Sequence, residues 1–106
     1  MTGATLTRTD SGLRVEGELR MASVPSLAQQ ARELLPAQGT ETLDLGAVAG
    51  TDSAGVALLL DWLRIQRRHD GDLVFVNMPD QLRAIARVSG VDGLLSGMSD
   101  RHRDTG

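Results

Sequence analysis

The stretch Leu43–Leu63, LDLGAVAGTDSAGVALLLDWL, decides the fold. Thr42-Leu43-Asp44-Leu45 reads as a short strand and Gly46 to Thr51 as a loop. Asp52-Ser53-Ala54-Gly55 then opens a helix expected to run to about Arg68, where His69-Asp70-Gly71 closes it. Leu73-Val74-Phe75-Val76 follows as a continuous apolar run, the pattern of a strand inside a sheet covered by helices.

Upstream, Leu13, Val15 and Gly17 alternate with Arg14, Glu16 and Glu18, which has the period of a half-buried strand. Asp10-Ser11-Gly12 is turn chemistry that joins it to a strand around Ala4 to Arg8. Ser23 is placed to cap a helix whose apolar positions are Val24, Leu27, Ala28, Ala31, Leu34 and Leu35, with Pro36 and Gly39 ending it. Downstream, Asn77-Met78-Pro79-Asp80 opens a helix with Leu82, Ile85 and Ala86 inward, and a short last helix holds Val91, Leu94 and Leu95. A hairpin followed by two β-α units gives the α/β class: a single layer, a mixed sheet of about four strands with helices packed on it. Residues 1–97 are expected to form one domain and residues 98–106 a polar tail.

At 106 residues there is chain enough for one core. The single Trp and single Phe, with no Tyr, leave that core to Leu, Val, Ile and Ala. A net charge of −3 gives no general attraction to nucleic acid or anionic lipid, although all eleven basic residues are Arg. The absence of Cys excludes disulfides and thiolate metal sites. Met1 to Thr9 lacks the pattern of a signal peptide, and the longest apolar run, Val56 to Leu60, is far short of a membrane span, so a cytoplasmic location is expected.

Catalytic chemistry finds no support. His69 sits in a Gly-flanked turn and His102 in the polar tail, and neither is placed like a general base. No G-x-S-x-G elbow, Walker loop or ligand spacing for a metal is present, so no catalytic residue, metal or cofactor is assigned.

The start of the central helix is the informative place. A hydroxyl there lies among the unpaired N–H groups of the first turn, where the helix dipole favours a phosphate or another anion. The alternative is that Asp52 or Ser53 is simply the N-cap. Along the helix, Val56, Leu59, Leu60 and Leu63 form one apolar stripe for the sheet. Ala54, Leu58, Trp62 and Ile65, with Asp61 among them, form a second nearly opposite. That surplus either packs on neighbouring helices or, if Leu58, Trp62 and Ile65 are exposed, adjoins Ser53 as a protein-binding patch. Arg64, Arg67 and Arg68 complement the dipole at the helix end or meet an acidic partner or lipid headgroups. Arg83 and Arg87 read as solvated.

The order LDL-x-x-V-x-x-x-DS-x-G-x-x-x-LL, carried by Leu43, Asp44, Leu45, Val48, Asp52, Ser53, Gly55, Leu59 and Leu60, resembles the STAS domain family (sulphate transporter and anti-sigma-factor antagonist). Gly46 departs from it where many members have Ser. Phe75-Val76-Asn77-Met78-Pro79 and the run Gln81 to Val91 extend the likeness, which covers about Leu13 to Leu95. The wording of Asp52 to Leu60 and of LRAIARVSGVDGLL is most similar to the STAS subunit of the Mla phospholipid ABC transporter. That resemblance implies a small cytoplasmic, non-enzymatic protein that docks on the transporter's ATPase subunit and supports its assembly and activity. It would then be peripheral to the inner membrane only through that partner. Ser53 would lie at the docking site; the helix geometry adds Asp52, Ala54, Leu58, Asp61 and Trp62 as partner-binding candidates. The more distant likeness, to anti-sigma-factor antagonists, implies instead that Ser53 is a phosphoacceptor for an anti-sigma factor kinase, with the phosphate disrupting an interface beside Asp52.

Overall fold

Leu13 and Val15 are fully buried while Arg14 and Glu16 are not, so the period of two seen in the sequence is the pleat of a strand with one face inward. The computed structural model describes residues 3–35 and 39–95. In chain order these form β1 (Ala4–Thr9), β2 (Gly12–Leu19), a 3-10 turn (Met21–Ser23), α1 (Val24–Leu34), β3 (Thr40–Thr51), α2 (Ser53–Arg68), β4 (Asp72–Val76), α3 (Asp80–Val88) and α4 (Asp92–Leu95). The sheet has four strands in the order β1-β2-β3-β4. β1 pairs antiparallel with β2, and β2 with β3 and β3 with β4 pair parallel. The expected α/β layer with a mixed sheet is the observed fold. The tail 98–106 and Pro36 lie outside the described residues.

Register explains how the core is assembled. Leu13 pairs with Leu43 and Leu43 with Phe75, while Leu6 pairs with Val15, so these side chains share one face of the sheet. Arg14, Asp44 and Val76 form a row on the opposite face, and none of them is fully buried. The helices therefore cover one face. β4, expected to be covered throughout, is an edge strand in which Leu73 alone is buried.

One boundary differs from the sequence reading. Gly46 to Thr51 is not a loop: it is the second half of β3, paired with β2 through Glu16–Ala47, Gly17–Val48, Glu18–Gly50 and Leu19–Thr51. The register shifts between Arg14 and Glu16 and again between Gly17 and Glu18. Each shift puts an extra β3 residue into the ladder, as a β-bulge does. The buried positions of β3 thereby change from Leu43 and Leu45 to Val48 and Gly50, which breaks the alternation that marks a strand in sequence.

Ser23 occupies the N-cap position of α1 without capping it. Its hydroxyl instead donates to the Glu18 carbonyl at 2.6 Å and accepts from Arg20 N–H at 3.1 Å. α1 ends as expected near Leu34, with Leu35 extended at φ −73° and ψ 133°, the conformation favoured before a proline. α2 packs between α1 and α3 and over β2, β3 and β4. At its far end, Arg67 Nε reaches Asp72 Oδ1 at 3.2 Å. Among the described residues no helix is long and apolar enough to cross a membrane.

Candidate functional site

The parallel strands β2 and β3 end side by side, and the chain leaves each of them into a helical segment at the same edge of the sheet. Thr51, buried at the end of β3, donates its hydroxyl hydrogen to the Leu19 carbonyl at 2.8 Å. The next residue, Asp52, donates its N–H to the same carbonyl at 3.3 Å. The last residue of β3 and the residue that follows it are thus both tied to the last residue of β2 before α2 starts.

Asp52 is the N-cap of α2, extended at φ −138°. Its Oδ1 accepts from Gly55 N–H at 3.0 Å, and its Oδ2 accepts from Met21 N–H at 3.1 Å. One carboxylate therefore caps the helix and clamps the 3-10 turn beside it. The Met21 N–H is the main cause that holds this carboxyl below its ordinary pKa of 3.8, helped by Gly55 and Ala54 N–H and by Arg20, against a smaller opposing effect of burial. Gly55 has a separate reason to be glycine. A Cβ there would run into the Leu19 carbonyl oxygen, with Leu19 Cγ and Thr51 Oγ1 each only 2.8 Å away. α3 joins from the other side: Gln81 Oε1 accepts from Thr51 N–H at 3.3 Å.

Of the sequence candidates, Asp52, Ser53 and Ala54 are brought together here. Asp52 takes the cap, which leaves Ser53 at the first helical position, exposed, its hydroxyl with no hydrogen bond to any described residue. Leu58 and Trp62 require correction as surface contacts: they are only 6% and 3% exposed. Neighbouring helices consume most of the second apolar stripe, Ile65 alone of its large members remaining 37% exposed. Asp61 is exposed, but with Trp62 and Ile65 it lines a groove against α1, two turns and more along the helix from Ser53.

Sequence reasoning missed Met21. Its side chain is 71% exposed, although its backbone N–H is fixed by the Asp52 carboxylate. Ala22 and Ala57 beside this end are also exposed. The signal was present in Leu19-Arg20-Met21-Ala22, where an apolar residue interrupts the handover from strand to helix, but periodicity gives such a residue no face. The assembled surface is a small apolar and hydroxyl-bearing platform on a rigid frame, suited to docking. Asp44, at the opposite face, is a second depressed carboxyl, held down first by Gly46 N–H at 2.8 Å and then by Asn77 Nδ2 at 3.1 Å.

None of the curated proteins matches the chain. Among solved structures, the anti-sigma factor antagonist SpoIIAA in its unphosphorylated form is similar, with a TM-score of 0.61 and 20% identity over 84% of this chain and 82% of that one. The likeness establishes a common fold. The family model described as Mlab, STAS domain, matches residues 2–96, almost the whole of the sequence, and the chain belongs to that STAS family.

Proposed function

We propose that this STAS domain is a non-enzymatic accessory subunit of a phospholipid ABC transporter, which binds the cytoplasmic ATPase subunit and supports its assembly and activity. The observation that carries the reading is that two exposed residues flank the Asp52 clamp: Met21, whose N–H the carboxylate holds, and Ser53, the next residue in the chain. An exposed apolar side chain on a fixed backbone loses little freedom when a partner covers it, which favours its use as an anchor. The family description names Mlab; the choice of an ATPase as partner rests on the resemblance of Asp52 to Leu60 and of LRAIARVSGVDGLL to the STAS subunit of the Mla transporter. Ser53, Asp52 and Ala54 then supply the polar and small surroundings of that anchor, and Leu58 and Trp62 hold the helix from beneath. Membrane association follows only through the transporter.

The test is binding of the purified ATPase subunit from the same genome to wild-type protein and to the Met21→Asp, Ser53→Glu double variant. Loss of binding by at least tenfold is expected, since each change puts a charge into the contact. Equal binding by a folded double variant would refute the reading.

A second reading rests on the Ser53 hydroxyl, which is exposed and makes no hydrogen bond to any described residue. As an anti-sigma-factor antagonist, the role printed for SpoIIAA, the chain would be phosphorylated there by a kinase that is also its partner. Phosphate adds about −1.5 to −2 charge beside Asp52 and would break the packed contact. Tandem mass spectrometry of the Ser53 peptide from native cells distinguishes the two: unmodified peptide recovered with an ATPase and permease supports the transporter, and phosphopeptide with a small kinase supports the switch.

A further inference from the structure

We infer that the groove between α1 and α2 is a binding site for a small uncharged molecule with an apolar body and one hydrogen-bond acceptor. The groove measures about 350 Å³, within the range of small-molecule sites. Ala28 and Ala31 of α1 form one wall, and their small side chains are what keep it open. Trp62 and Ile65 of α2 form the facing wall. It lies roughly 14 Å along α2 from Ser53, taking 1.5 Å per residue, and is independent of the docking platform.

Gln66 gives the groove its chemistry. It is only 3% exposed and lines the groove, yet its Nε2 has no acceptor among the described residues. A buried amide without a partner is costly, and such groups mark places where something else completes the bond. The terminal amide torsion is soft, so a carbonyl or hydroxyl oxygen seated between the helices is reached by a small rotation. Charge decides against an anion. The groove lies toward the C-terminal ends of both helices, whose dipoles repel negative charge, and the one cationic lining residue, Arg32, is offset by the carboxylate of Asp61, which also lines it. A neutral molecule meets neither penalty.

The chain contains one Trp, so the indole N–H of Trp62 gives a single resolvable resonance in a ¹H–¹⁵N spectrum, alongside the side-chain amide of Gln66. Acetophenone and ethylbenzene serve as probes, alike in body and differing in the acceptor. Acetophenone is expected to move both resonances and to bind about 2–10-fold more tightly than ethylbenzene, the worth of one net hydrogen bond. Gln66→Leu should bring the two probes within about twofold. Ala31→Leu, which fills the groove, should weaken both by about tenfold or more through steric exclusion. Absence of any shift at the solubility limit of acetophenone overturns the proposal. So does equal binding of the two probes to wild-type protein, a comparison that needs no variant to fold, and so does unchanged binding to a folded Ala31→Leu variant.

Discussion

Replacing Asp52 by Ala tests whether one carboxylate ties the start of α2 to the 3-10 turn in the proposed docking platform. Two N–H groups lose a carboxylate acceptor at once, Met21 at 3.1 Å and Gly55 at 3.0 Å, although Gly55 N–H keeps the backbone carbonyl of residue 52 at 3.1 Å. Loss of an N-cap costs about 0.5–2 kcal/mol, and a second net hydrogen bond about 0.5–1.5 kcal/mol. The sum is roughly 1–3.5 kcal/mol, and for a domain of this size each kcal/mol lowers Tm by about 4–8 °C. Asp52→Asn offers a single carbonyl oxygen, serves only one of the two donors, and should cost about half as much. The carboxyl pKa is lowered in the folded protein, so its stabilisation is present above the unfolded value and is lost as pH falls through the folded one. The difference between wild type and Asp52→Asn should therefore shrink only when the pH goes below the ordinary carboxylate range. Urea unfolding followed by Trp62 fluorescence measures all three proteins across that range. An Asp52→Ala variant within about 0.5 kcal/mol of wild type at neutral pH, below the smallest sum above, would refute the assignment of both bonds.

Gly55→Ala should destabilise by about 1–3 kcal/mol, the usual cost of overpacking, because its Cβ meets the Leu19 carbonyl and Thr51 Oγ1; thermal unfolding reads it. Leu59→Ala removes a side chain that is fully buried under α2 and should cost about 2–5 kcal/mol by chemical denaturation. Met21→Asp, by contrast, should leave stability within about 0.5 kcal/mol, as surface changes do, because Met21 is 71% exposed. If Met21 anchors the partner, the same change weakens binding by about tenfold in calorimetry.

Legibility followed periodicity. α2 was readable to both ends because a capping Asp, an uninterrupted apolar period and a Gly-containing stop mark it independently. The first hairpin was equally plain, since β2 carries its polar face to solvent. β3 was only half visible: its bulges re-phase the buried positions at Val48, and its glycines imitate a loop. Ser23 failed as a cap because the 3-10 turn before α1 offers its hydroxyl nearer partners, the Glu18 carbonyl and Arg20 N–H. Met21 was invisible for a different reason. Its importance depends on Asp52, thirty-one positions away in sequence and bonded to it only once the parallel pair β2–β3 has formed.

The two apolar stripes of α2 show how this small domain separates its surfaces. A helix on one sheet face needs one stripe, and the surplus of Leu58 and Trp62 leaves two outcomes open in the sequence, packing on neighbouring helices or an exposed patch beside Ser53. The structure places that surplus beneath neighbouring elements, at 6% and 3% exposure. What remains outside is divided by position along the helix. The N-terminal end presents Ser53 with Met21, where the dipole and the Asp52 bonds fix a polar and apolar platform. The C-terminal half presents the groove toward α1, where Ala28 and Ala31 leave room and Gln66 lacks an acceptor. One helix carries both, and near its start Gly55 lies so close to Leu19 that a Cβ there has no room. Enlarging Gly55 should therefore disturb the Ser53 platform directly and the groove only through the helix. Resonance shifts at Trp62 in Gly55→Ala would measure that transmission, and an unmoved Trp62 beside a displaced Met21 would show the two surfaces to be mechanically separate.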